Sequence, residues 1–201
     1  MPAIVDIPTV VAEAMGQIDD LLANEPQRCH LAEYLTGLMI ARRKTVNSMS
    51  SEYVATTDPS CWNRFLTQAK WDVQALNERR LKILQQDPAT RYDDKGVIAL
   101  DDVLIDHDGK LIEDVGWFWD HAEDRYKIAH DYLFVNYVCP SGKHYPLEFR
   151  LFKKRDQCEA QGQKFQDHGV LFRQLVDWID ERQIPGNFTF DSYFTNAENL
   201  N

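Results

Sequence analysis

The sequence predicts an α/β chain: an all-helical N-terminal region over residues 1–90, then a strand-rich part over residues 91–201. Two observations carry this prediction. Apolar residues recur at helical spacing up to about residue 90 and in short β-branched and aliphatic runs beyond it. The later runs also come in the order three strands, a helix and a last strand, with a turn signal between the second and third.

The first helix is read from Val10, Val11, Ala14, Ile18, Leu21 and Leu22. A second carries Leu31, Tyr34, Leu35, Leu38 and Met39 and runs up to Arg42-Arg43-Lys44. Asp58-Pro59-Ser60 has the form of a helix start. Trp62, Phe65, Leu66, Ala69, Val73, Leu76, Leu81 and Leu84 then fill one broad face as far as Asp87-Pro88. The first strand is expected from Val97 to Ile105, with the turn Asp106-His107-Asp108-Gly109-Lys110 after it. Lys127 to Val138 and His144 to Phe152 are two more strands, and Cys139-Pro140-Ser141-Gly142 between them makes an antiparallel hairpin the natural pairing. A helix from about 158 to 182 follows, with Phe165, His168, Phe172, Leu175, Val176 and Ile179 on one side. Ile184-Pro185-Gly186 ends it, and the last strand is Phe188 to Tyr193.

Composition narrows the functional classes. No segment has the apolar length of a membrane span, so no membrane partner is expected. MPAIVDIPTV lacks the basic start and apolar block of a secretory signal, which leaves the cytoplasm as the expected location. Cys29, Cys61, Cys139 and Cys158 form no C-x-x-C pair, so reduced thiols are expected rather than a zinc cage. A formal charge of −10 argues against a protein that coats nucleic acid nonspecifically. Only residues 28–82 carry a basic excess, +4, against −5 before them and −9 after them. Arg42, Arg43, Lys44, Arg79, Arg80 and Lys82 contribute to that excess. A charge run of this kind is either a solvated face or a contact to phosphate.

Three acids stand where acids are unusual. Asp101 and Asp102 interrupt an aliphatic run without a turn residue, and Asp191 directly follows Phe188-Thr189-Phe190. An ionised carboxylate in a central strand is costly unless it is paired, hydrogen-bonded or metal-bound. A divalent-cation site needs such acids, because Mg²⁺ takes few carboxylates and keeps positions for water and phosphate. The alternative is a turn former or helix cap. Asp106-x-Asp108-Gly109 departs from a calcium loop in its glycine and lacks the bidentate Glu, so it reads as a hairpin turn. Asp120, His121, His130 and Asp131 lack a fixed ligand spacing. The aromatic cluster Trp117-Phe118-Trp119 reads as packing under the first strands.

The runs V-I-A-L-D-D-V, G-K-L-I-E-D-V-G-W-F-W-D-H-A-E-D-R-Y-K-I-A-H-D-Y and F-T-F-D-S-Y-F together resemble DDE transposases of insertion sequences, most closely the insertion sequence 701 group. The resemblance covers most of the chain. It implies an RNase H-like mixed sheet, here incomplete, with Asp102 and Asp191 as catalytic Mg²⁺ (or Mn²⁺) ligands. Val103 stands where the family's D-D-T motif has Thr. A third carboxylate, a Glu on a later helix, completes the family's site and is expected beyond position 201, so the isolated chain is expected to be inactive. The resemblance further implies a bacterial, nucleoid-associated protein whose helical region binds transposon terminal repeats. It leaves a homodimer open, together with two other roles: a noncatalytic regulator of transposition, or a nuclease completed by another chain.

Overall fold

The structure, a computed structural model, describes residues 4–55, 58–109 and 112–195. It divides into two compact units, residues 1–83 and 84–201. Among the described residues no helix is long and apolar enough to cross a membrane. All four cysteines are unpaired.

The first unit is helical: α1 (Thr9–Gly16), α2 (Glu25–Ile40), α3 (Val46–Ser50), α4 (Pro59–Gln68) and α5 (Val73–Leu84), the last of which ends at the boundary. Side-chain caps set several of the starts. Asn24 accepts from Gln27 N–H, Thr45 from Ser48 N–H and Asp58 from Ser60 N–H, each satisfying a backbone donor that the helix cannot. Val11, Met15, Leu22, Leu31 and Phe65 form one buried cluster, and Ala41, Met49 and Trp62 a second. Two expectations need correction. The first predicted helix stops at Gly16, and Asp19–Leu21 is a separate 3-10 turn. The long third helix is two, because the backbone turns extended at Ala69 and Asp72 accepts from Ala75 N–H to open α5. Trp71, in the break, packs on Phe65 with ring centroids 5.3 Å apart.

The second unit contains β1 (Val97–Asp106), β2 (Gly116–Asp120), β3 (Arg125–Val138), β4 (His144–Phe152), α6 (Arg155–Ala160), α7 (His168–Glu181) and β5 (Asn187–Phe190). β3 pairs antiparallel with β1, with β2 and with β4, while β5 runs parallel to β1. An antiparallel meander β1-β3-β4, a helical connection and a strand returning parallel to β1 make this the mixed α/β sheet of the RNase H-like type. β2 is an addition the periodicity did not reveal, since Trp117-Phe118-Trp119 read as a packing cluster. Only Phe118 fits that reading: it meets Phe152 and the Lys154 ammonium, whereas Trp117 and Trp119 alternate outward and are 52% and 41% exposed.

α7 supplies the cover of one sheet face. Leu171, Phe172, Leu175 and Ile179 are buried on the helix, and Ile98, Leu100, Leu133 and Val135 on the strands. The helix is shorter than predicted. Gly162, at φ 65°, breaks the chain after α6, and Asp167 caps α7 by accepting from Val170 N–H. The last strand also stops early, at Phe190. Asp191 is therefore not a strand residue but the cap of a 3-10 turn, Ser192–Phe194, whose Phe194 is buried in a stack on Phe172.

Candidate active site

The geometry starts from the β1–β5 ladder. Its rungs run from Val97 opposite Asn187 to Leu100 opposite Phe190. The next residue is Asp101 on β1 and Asp191 beyond β5, followed by Asp102. These acids, 89 residues apart in sequence, therefore lie at the same end of two adjacent parallel strands. Among the described residues, from Asp101 onward β1 has a ladder partner only in β3. The strand is thus central over its first half and open on one flank over its second, which is why both Asp101 and Asp102 retain exposed surface. The premise of a fully interior strand holds for Ile98 and Leu100, not for the acids.

Strand alternation separates the paired acids. Asp102 shares a face with Leu100 and with Leu133, its partner on β3, so it lies on the α7 side, and Asp101 lies on the other. Asp102 N–H donates to Asp101 Oδ1 at 3.0 Å. Burial of the Asp102 carboxyl pushes its pKa above the usual carboxylate value, and the negative charges of Asp131 and Asp101 push it further. Asp191 has the opposite environment. Ser192 Oγ donates to its Oδ1 at 2.9 Å and Tyr193 N–H at 3.3 Å, which holds its pKa below the usual value.

A residue that the sequence reading set aside joins this end of the sheet. Asp131 is 4% exposed on the α7 face of β3, and His168 Nε2, from the first turn of α7, donates to its Oδ2 at 2.9 Å. The His168 ring stacks on Phe152, with centroids 4.0 Å apart, and meets Tyr193 edge-on at 6.2 Å. Tyr193 belongs to the turn that Asp191 caps. Asp120, His121, His130 and Asp131 do not converge on one site. Asp120 pairs with Lys127 at 2.6 Å. His130, on the opposite face from Asp131, donates to Glu113 O through Nε2 and contacts His107 through Nδ1, each at 2.7 Å. Strand parity in K-I-A-H-D-Y-L-F-V is the signal that puts Asp131 on the face of Leu133 and Val135.

The basic residues expected at DNA are in the helical unit and divide into two groups. Arg42, Arg43 and Lys44 are exposed in the segment after α2 rather than on a helix, and Lys82 is exposed in the last turn of α5. Arg79 is engaged internally, with both guanidinium nitrogens on Asp20 at 2.8–2.9 Å and a further bond to Gln17 O. Arg80 holds Asn77 Oδ1.

The sequence profile of the DDE superfamily endonucleases matches residues 17–198. The chain belongs to that family. No curated protein matches it. Membership makes the acids at the end of β1 and β5 the natural place to seek a DDE centre, and it implies a nucleic-acid substrate and divalent-cation chemistry. Among the described residues, no three His, Cys, Asp or Glu side chains already converge as a ready ligand set. The donors nevertheless suit a hard cation. They are carboxylates, one of them ionised at a turn and another repelled by its neighbours, and Asp131 Oδ1 is a buried acceptor without a partner among the described residues.

Proposed function

We propose that this DDE endonuclease is a transposase of the insertion sequence 701 type, which binds transposon terminal repeats and, in the complete protein with the family's third carboxylate in place, carries out phosphodiester cleavage and strand transfer. The observation that carries this reading is the placement of Asp102 and Asp191 at one end of adjacent parallel strands, on a fold that positions them from residues 89 apart. Asp102 and Asp191 would hold Mg²⁺ or Mn²⁺. Such ions, when bound, polarise the phosphodiester and lower the pKa of the attacking water or 3′-hydroxyl. The two acids contribute differently. Asp191 presents an ionised carboxylate fixed by its own turn, whereas Asp102 carries a charge that its surroundings resist and that a cation would relieve.

Arg42, Arg43, Lys44 and Lys82 are the candidates for contact with the DNA backbone, because their side chains are exposed. Arg79 and Arg80 make a smaller contribution, since both already serve bonds inside the helical unit.

The test is nicking of DNA carrying the terminal repeats by the complete protein, with Mg²⁺ or Mn²⁺. Nicking should require the cation and fall by at least about a hundredfold in Asp102→Ala, the scale of losing a group that stabilises transition-state charge. Cation-dependent nicking that survives Asp102→Ala would remove Asp102 from the site. A second reading is a protein that binds the ends without cutting them, favoured by the lack of a converged ligand set among the described residues. A gel shift with the repeats and no nicking under either cation would select it.

A further inference from the structure

The two oxygens of Asp131 are treated differently by the fold. Oδ2 accepts from His168, while Oδ1 is buried and has no hydrogen-bond partner among the described residues. A buried polar atom left bare is costly, and a charged one more so. Something that satisfies Oδ1 is therefore missing from the protein's own bonds.

Position says what would satisfy it. Asp102 opposes Leu133, and Asp131 opposes Leu104, so the two acids occupy diagonal positions on one face of the β1–β3 ladder. Diagonal neighbours of an antiparallel pair lie about 7–8 Å apart in their backbones, and their side chains reach closer. Carboxylate oxygens about 2.0–2.1 Å from a small divalent cation on either side span that gap. Two carboxylates on diagonal positions of one face, one with a bare oxygen, are joined by a cation between them. His168 is suited to hold this arrangement. Its ring is fixed against Phe152, and its bond to Oδ2 leaves Oδ1 as the free donor, the usual relation between a ligand and the group that orients it.

We propose that Asp131 Oδ1 ligates the same divalent cation as Asp102, with His168 as the positioning residue that holds Asp131 through Oδ2. The proposal rests on the reading of Asp102 as a metal ligand. It adds to the site an acid from the middle of the meander, outside the Asp102 and Asp191 pair.

The test is Mn²⁺ binding to the full chain without DNA, read from the electron paramagnetic resonance signal of free Mn²⁺. Asp131→Asn should weaken binding by at least about tenfold, as Asp102→Asn does, and His168→Gln should weaken it less than either. Loss of binding in Asp102→Asn with wild-type binding in Asp131→Asn overturns the proposal and leaves the function intact. Unchanged binding in Asp102→Asn, or no Mn²⁺ binding by the wild type at millimolar concentration, overturns both. Since Asp131→Asn also alters a buried bond, the wild type supplies a second readout. Mn²⁺ should broaden the backbone amide resonances of Leu104, Asp131 and Leu133 at its first additions. Broadening confined to the turn at Asp191, with those three signals sharp, overturns the proposal together with the reading of Asp102 as a ligand.

Discussion

Asp102 costs the folded chain something that its unfolded form escapes. Its carboxyl is partly desolvated and faces the like charges of Asp131 and Asp101. Replacement by Asn keeps the shape and removes the charge, so Asp102→Asn should stabilise the cation-free protein at neutral pH. Because the residue retains exposed surface, solvent screens the gain to about 1 kcal/mol at most, or roughly 2–4 °C in Tm for a chain of this size. A calorimetric Tm lower than wild type would show that the carboxylate makes favourable bonds instead. Tyr53 gives a residue-scale prediction in the helical unit. Its hydroxyl donates to Glu33 O at 2.5 Å, and burial pushes its pKa up to about 12 from 10.0. The folded chain therefore holds this proton where the unfolded chain releases it. The associated stability is complete below pH 10 and is lost as the pH rises towards 12. Tyr53→Phe should flatten the fall in Tm over that window, and a fall as steep as in the wild type would exclude Tyr53 as its source.

At the scale of elements, the site depends on how closely β5 can start beside β1. Asn187 N–H donates to Gly96 O at 2.8 Å, and a Cβ on Gly186 would lie 2.9 Å from that same oxygen, with φ at 145°. Gly186→Ala should therefore shift the β1–β5 rungs and the turn carrying Asp191, at a cost of about 1–3 kcal/mol for the strained backbone. Cation-dependent nicking should fall while the helical unit keeps its circular dichroism, and full activity with an unchanged Tm would refute the dependence. These elements were unequally legible in the sequence. β1, the β3–β4 hairpin and α2 were readable because a long apolar period or the Pro140-Ser141-Gly142 turn announces them. The break between α4 and α5 was not, since no Gly or Pro marks it and Ala69 and Val73 both fit one helical face. α3 rests on a Thr45 cap and a single turn, too short for periodicity to register. β2 was hidden by its aromatic content. The two acids expected at the site stand out by their sequence neighbours, whereas parity puts Asp131 on the face of Leu133 and Val135 but its position diagonal to Asp102 emerges only from the β1–β3 register. Asp191 looked like a strand residue because Tyr193 and Phe194 extend the apolar run, although Phe194 is buried through a turn.

At the scale of the whole molecule, charge is divided. The chain carries −10, residues 28–82 carry +4, and residues 83–201, which include all the candidate ligand acids, carry −9. A polyanion is thus attracted by one segment and repelled by the segment that is to act on it. Binding of the ends should accordingly rest on few phosphate contacts, and divalent cations should favour it beyond ordinary salt screening by neutralising acids at the sheet. Arg42, Arg43 and Lys44 are the densest exposed basic group in the positive segment. Each phosphate contact contributes about 0.9 to the slope of log affinity against log salt on duplex DNA. If all three side chains sit on phosphates, a triple Ala variant should reduce that slope by about 2 to 3 and weaken binding to specific and unrelated DNA alike. Filter binding across a salt series measures this. An unchanged slope would move the DNA contact away from the α2–α3 connection and leave Lys82 and the sheet unit to account for end binding.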